Sequence, residues 1–395
     1  MGPLHGIRVL ELGSFIAGPF AGQLLADYGA EVVKVEPPRT GDPMRRWGVT
    51  RDGESLWWPA IARNKKSVTV NLRDEEGQRL VRQLAASCDV VLENFRPGTM
   101  DRWGLDYERL SAANPGIVVV HVSGFGQTGP NARQAGFGSV AEAVGGIRYT
   151  TGSPNDAPAR AGVSLGDSLA ALFAVIGTLA ALAERTRSGR GQEVDVAIYE
   201  AVFALMESTL ADYHVGGVLR GRTGSVLPGV APSNVYPTAD GAEVVIAANA
   251  DTVFVRLAEA MGQPELASDP RYATHAARGE RMAELDRLVA EWTATLTADE
   301  LIDTLQRYGV PVGRINTAAS ILTDAHFAAR DMILWRKNAR GVEAPMNGIV
   351  PKFSRTPGEV EHTGPALGAH TDEVLTALAG VDSEQLTGLR ADGVI

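Results

Sequence analysis

The sequence predicts an α/β protein with a large domain on a doubly wound, mainly parallel sheet and a smaller α/β domain. Three observations predict it. Short β-branched runs alternate with helical patterns through the first half of the chain, the arrangement that gives parallel strands joined by crossover helices. The character changes after Gly216, where a stretch rich in Gly, Pro, Ser and Thr intervenes. The length of 395 residues exceeds what one ordinary core holds.

Residues 7–12 (IRVLEL) read as the first strand, followed by a glycine turn and the helical pattern PFAGQLLADYG. Residues 31–36 (EVVKVE) and 67–72 (SVTVNL) are the next strands, the latter leading into the helix RDEEGQRLVRQLAAS. Residues 89–93 (DVVLE) and 117–123 (IVVVHVS) complete the set. A long apolar helix starts at Ser168 and stops at the basic, glycine-rich run RSGRG. Residues 194–213 read as one further helix. The linker at 216–235 precedes a small unit with a strand at 243–248 and helices at 251–261, 282–294 and 298–308. From about Asn316 the tail returns through loops and short strands to helices at 371–378 and 383–389. The expected division is therefore 1–215 for the large domain, 216–235 for a linker or glycine loop, 236–314 for the small domain and 315–395 for a returning segment.

Composition narrows the function. Hydrophobic residues make up 45% and charged residues 21%, as in ordinary globular proteins. A net charge of −10 disfavours a nucleic-acid partner. Cys88 is the single cysteine, which excludes an intrachain disulfide and argues against a cysteine zinc site; no metal is expected. The N-terminus enters a strand pattern directly, without the layout of a signal peptide. The apolar stretch 169–183 is shorter than a membrane span. These features predict a cytoplasmic protein without a membrane partner.

The turn GSFIAGP after the first strand occupies the place of a dinucleotide phosphate loop, and Glu36 ends the second strand where a ribose-binding acid would sit. A NAD enzyme therefore competes, but the spacing is GxxxxG rather than GxGxxG, and Pro19 follows Gly18 where Walker A requires lysine. The seven histidines form no HExxH pair, His121 sits inside a strand pattern, and no GxSxG elbow is present. Carboxylate, arginine and backbone remain as chemistry. Asp167, beside Gly166 at the mouth of the apolar helix, has two readings: a helix cap, or an exposed carboxylate nucleophile.

Several segments together resemble the class III CoA-transferases, the group of formyl-CoA transferase, carnitine CoA-transferase and the succinyl-CoA–dicarboxylate transferases. They are LELGSFIAGPFAGQLLADYGAEVVKVEPPRTGDPMRRWG, ARNKKSVTVNLRD, CDVVLENFRPGTMDRWGLDYERL, SGFGQTGP, GVSLGDSLAAL, SGRGQEVDVAIYEA and PALGAHTDEVL, and the resemblance runs over essentially the whole chain. It implies an interlocked homodimer. It also implies a CoA-transferase with Asp167 as nucleophile, Gly166 beside it and a covering glycine loop at Gly229. The acyl-CoA thioester is a substrate, and no cofactor is permanently bound. Matching positions imply CoA contacts at Ile16, Ala17, Val70, Asn94, Phe95, Arg102 and Trp103. Arg39 aligns loosely, since relatives often carry arginine directly after the strand-ending acid, where this chain has Pro37-Pro38. The α-methylacyl-CoA racemases, similar in fold, use a histidine where this chain has Phe137, which favours acyl transfer over racemisation. Many transferases carry tyrosine there, so Phe137 bears on the substrate. Arg160, in RAGVSLGD, matches a run of the succinyl-CoA–dicarboxylate transferases and is the expected clamp for a C4 or C5 dicarboxylate acceptor, with Arg148 and Arg222 as rivals. A non-catalytic CoA-binding protein is the remaining alternative.

Overall fold

A computed structural model describes residues Met1–Ile395. The chain forms two compact units. The first comprises Met1–Ile147, Ala161–Thr209 and His326–Ile395; the second comprises Arg148–Arg160 and Leu210–Ala325. Residues 148–160 thus belong with the second unit, a crossing that the sequence reading did not contain.

Six strands form the sheet of the first unit: β1 (Arg8–Glu11), β2 (Glu31–Glu36), β3 (Lys65–Thr69), β4 (Val90–Glu93), β5 (Val118–Ser123) and β6 (Glu193–Ala197). Their order is β3-β2-β1-β4-β5-β6, and every neighbouring pair is parallel. This is the doubly wound order whose direction reverses between β1 and β4. Alternation along the strands feeds two cores, as the two-residue period requires. Leu10, Val33, Val68, Val91 and Val119 pack with helix α2 (Glu75–Ala86) and with the C-terminal helices through Leu375 and Leu386. Val9, Val32, Val90, Val118 and Val120 pack on the other face with α1 (Ala17–Asp27) and with residues of the long apolar helix.

Between β5 and β6 lie α3 (Gly138–Val144) and α4 (Leu165–Ser188), and α5 (Ile198–Phe203) follows β6. The run 194–213 is therefore not one helix: EVDVA is the edge strand β6, with two short helices after it. Helix α4 has 24 residues and is long and apolar enough to cross a membrane, longer than the stretch the sequence singled out. Its small residues Ala170, Ala171, Ala174, Thr178 and Ala181 are buried and let it lie close to β5 and α1. A Cβ at Gly177 would fall 2.6 Å from Val194. One face of α4 is thus packed against the sheet and α1. Leu172, Ile176 and Leu179 form an exposed stripe on α4.

The second unit holds an antiparallel sheet of Ser233–Pro237, Glu243–Ala247 and Val312–Arg314. Helices Asp251–Ala260, Met282–Thr293 and Ala298–Arg307 supply Phe254, Leu257, Leu285, Val289, Leu301 and Leu305 to its core.

Candidate active site

The reversal between β1 and β4 is where an open parallel sheet offers a crevice. Here β1 turns through Gly13–Ile16 into α1. Asn94, just past β4, reaches across: its Oδ1 accepts the Ser14 N–H at 2.8 Å and its Nδ2 donates to the Ser14 carbonyl at 2.8 Å. A Cβ at Gly13 would fall 2.5 Å from Asn94 Oδ1, so glycine is required there. Asn94 thus shapes the turn. Phe15 has φ of 65°, a conformation that costs a non-glycine residue about 1–3 kcal/mol. Ile16 and Ala17 are buried, Ile16 among Met44, Trp58 and Ile61.

Glu36 is not placed for a ribose. It is buried and takes Arg45 in two bonds of 2.7 Å, the Ser67 hydroxyl at 2.6 Å and the Asp42 N–H at 2.9 Å. Val70, expected in the crevice, has its side chain in the core with Leu80 and Leu105. Two residues on from Val68, it points into the same core. Arg39 is exposed with φ of 66°.

Phe95 and Trp103 lie edge to face, with ring centroids 5.0 Å apart, both partly buried against the core. The Phe95 N–H donates to Glu93 Oε2 at 2.6 Å. Arg102 is exposed, and its guanidinium donates to Thr99 Oγ1 at 3.0 Å. His121 is a satisfied buried histidine, 2.6 Å from Glu93 Oε1 and 3.3 Å from Glu193 Oε1. Burial disfavours its imidazolium, but Glu93 and then Glu193 outweigh that and hold its pKa above the ordinary value. It is held by two carboxylates and is not a free base.

Asp167 sits in the first turn of α4, which begins at Leu165, with Ser164 at the cap position. It is therefore not the capping residue, although the helix dipole favours its charge. Its half-buried carboxylate lies against Gly138, the first residue of α3. A Cβ at Gly138 would fall 2.8 Å from Asp167 Cγ and 3.0 Å from Oδ1. Gly166 closes the junction. A Cβ there would fall 3.1 Å from the Gly138 carbonyl, and its N–H donates to Oε1 of the buried Glu142 at 3.2 Å. Phe137, directly before Gly138, is 67% exposed. The loop SGFGQTGP packs here too: a Cβ at Gly136 would fall 3.0 Å from the Gly124 α-carbon. Glu142 and the glycine at 138 escaped the sequence reading. The GFG run beside Phe137 was their only signal.

Gly229 and Arg160 belong to the second unit. Gly229 is exposed with φ of +76°, and its carbonyl lies 2.5 Å from where a Cβ at Gly279 would be. Arg160 is exposed, and Arg222 donates to the Ser153 carbonyl at 3.2 Å. An open cavity of about 400 Å³, lined by Arg336, Lys337, His362 and His370, involves none of the expected residues.

Residues 4–371 match the model of CoA-transferase family III. The chain is 59% identical over its whole length to the succinyl-CoA–D-citramalate CoA-transferase of Chloroflexus aurantiacus, covering 98% of that protein. It is 42% identical to the alpha subunit of the succinyl-CoA–L-malate CoA-transferase of the same organism, over 100% of this chain and 92% of that one. Among solved structures, a CAIB/BAIF family protein from Brucella suis overlays with a TM-score of 0.83 at 37% identity, covering 95% of this chain and 99% of that one.

Proposed function

We propose that this chain, which belongs to CoA-transferase family III and is a CoA-transferase, moves CoA from succinyl-CoA to a C4 or C5 dicarboxylate through covalent intermediates on Asp167. The carrying observation is the Asp167 carboxylate seated at the junction of α3 and α4, against a glycine that leaves it room. The donor and acceptor classes follow the relatives, whose names give succinyl-CoA with D-citramalate and with L-malate.

An aspartate attacks as its carboxylate and needs no base to deprotonate it in the step. It attacks the thioester carbonyl, the C–S bond breaks, and CoA leaves as thiolate, giving a succinyl–aspartyl anhydride. The thiolate then attacks the aspartyl carbonyl, releasing succinate and leaving an aspartyl-CoA thioester. The acceptor carboxylate attacks that thioester, again expelling thiolate. The thiolate attacks the acceptor carbonyl of the new anhydride, which frees acceptor-CoA and regenerates Asp167. Each tetrahedral oxyanion needs positioned N–H donors, a role assigned to Ile16–Gly18 at the start of α1 and to the loop at Gly229.

CoA runs along the crevice between β1 and β4 in this reading. Arg102 and Arg39 meet phosphate, Phe95 and Trp103 offer ring surface, and Asn94 holds Ser14 in the turn that leads to Ile16 and Ala17. Arg160 clamps the distal acceptor carboxylate. Phe137 offers no proton at its position, which argues against the racemase alternative. The chain pairs as a homodimer, and the exposed Leu172, Ile176 and Leu179 are apolar surface for a second copy to cover.

The test is mass spectrometry of the protein with succinyl-CoA and a panel of acids including D-citramalate, L-malate and glutarate, with Asp167→Ala alongside. New acyl-CoA masses are expected from the wild type only. Equal transfer by Asp167→Ala would remove Asp167 from the reaction. Unchanged KM for the dicarboxylate in Arg160→Ala would remove the clamp.

A further inference from the structure

The run EVVKVE sends Lys34 and Glu36 to the same face of β2 as Val32, the face that α1 covers. Both are buried, as are Glu11, Asp42 and Lys65. With Arg45, which pairs with Glu36, they make three cations and three carboxylates. Register brings Glu11 opposite Lys34. Lys34 Nζ lies 2.8 Å from Glu11 Oε1, 2.8 Å from Asp42 Oδ2 and 2.9 Å from the Gly13 carbonyl oxygen, which uses its three protons. Lys65 Nζ lies 2.8 Å from Glu11 Oε2 and 2.6 Å from the Pro19 carbonyl oxygen. Desolvating such ions is costly, and apolar side chains of similar volume often stabilise a core equally well. Stability alone therefore does not account for the cluster.

Its outward bonds show what it holds. Gly13 offers its carbonyl to Lys34, Ser14 is held through both backbone groups by Asn94, and the Phe15 N–H donates to Asp42 Oδ1 at 3.2 Å. Three consecutive residues are clamped by side chains from three separate segments. The third has a left-handed φ, a conformation that persists only where its surroundings over-determine it. Asp42 is fixed in turn by its own N–H to Glu36 and by the Met44 N–H at 2.8 Å.

We infer that Lys34 and Asp42 are positioning residues for CoA binding, fixing the Gly13–Phe15 turn so that Ile16 and Ala17 present their backbone to the thioester end of CoA. This rests on the reading that the turn contacts CoA. Neither residue touches the reacting atoms in this assignment.

The experiment compares wild type, Asp42→Asn and Asp27→Asn as full-length proteins, by calorimetric CoA titration, steady-state kinetics and thermal melting. Asp27 pairs with Arg63 at 2.6 Å in the same unit, both buried, and controls for the loss of a buried charge away from the turn. Asp42→Asn is expected to weaken CoA binding and lower kcat/KM by about tenfold or more. Asp27→Asn is expected to lower Tm comparably and leave CoA affinity within about twofold of wild type. If Asp42→Asn does not fold, Lys34→Arg, which keeps the cation and alters the bond to Gly13, is read in its place. Wild-type CoA affinity in the variant, or equal weakening by Asp27→Asn, overturns the inference. Amide exchange at residues 14–18 with and without CoA separates the two levels. No protection by CoA refutes contact with the turn itself. Protection together with wild-type affinity in Asp42→Asn refutes only the positioning role.

Discussion

The carboxylate of Asp167 lies against the α-carbon of Gly138, so closely that a methyl group at 138 would fall 2.8 Å from its carboxyl carbon. One residue lies in the first turn of α4 and the other opens α3. The position of the proposed nucleophile therefore depends on how these two helix starts meet, and the space it occupies exists because residue 138 has no side chain.

Gly138→Ala tests that dependence. The backbone there is not left-handed, and alanine favours a helix by up to about 1 kcal/mol over glycine, so Tm should hold or rise. The methyl group must displace the carboxylate, and a shift of about 1 Å costs roughly a hundredfold in rate. A melting curve beside kcat for acyl transfer checks both. Unchanged kcat would count against the proposed role of the carboxylate in this position.

Arg102→Gln should act on binding and leave the chemistry alone. The guanidinium is exposed, with the Thr99 hydroxyl as its hydrogen-bond partner, and so is available to a phosphate. Loss of a charge-assisted bond worth about 1.5–3 kcal/mol should raise KM for the acyl-CoA roughly tenfold or more with kcat nearly constant. The difference from wild type should shrink as salt is added. A fall in kcat at constant KM would remove Arg102 from the phosphate contact.

The sheet was legible because five of its strands are β-branched runs bounded by turns, and period-two alternation does not depend on the rest of the fold. Strand β6 was not. EVDVA is a partly exposed edge strand that runs directly into the helical IYEAVF, and a short strand fused to a helix shows one blended pattern. Asp167 was visible as an acid beside glycine before an apolar helix. Its helix starts three residues earlier than the apolar run suggests, because Leu165 and Gly166 carry no periodic signal. Lys34 and Glu36 were invisible as buried charges. A charged residue in a strand reads as solvent-facing until Glu11, Asp42 and Arg45 arrive from other segments to neutralise it. The approach of Gly138 to Asp167 is likewise long-range, and no local pattern encodes it.

Cys88 should resist thiol reagents in the folded protein. It is 2% exposed in the core, and burial pushes its thiol up to about 12, against a smaller opposing effect of Arg8. Only thiolate reacts. Modification by a disulfide reagent at pH 8 should therefore follow global opening and accelerate through the urea unfolding transition. Fast native-state labelling would place Cys88 at a solvent-reachable site.

Acid should weaken the protein through the cluster beneath the β1 turn. Burial raises the Glu36 and Asp42 carboxyls, but Arg45 and Lys34 outweigh it for Glu36, and Lys34 with the Met44 and Phe15 N–H groups for Asp42, so both titrate below their ordinary values. A carboxylate depressed in the folded state contributes stability above its unfolded pKa, and that stability is lost as pH falls through the folded one. Urea unfolding should thus be nearly constant from these groups down to about pH 4.5 and decline below about pH 4. Glu36→Gln leaves the half-buried Arg45 without its carboxylate, which should lower stability at pH 7 and flatten the acid limb. A variant whose acid limb has the wild-type slope would show that the Glu36 pKa is not depressed on folding, and the balance of charges around Lys34 would then need a proton on one of its carboxylates.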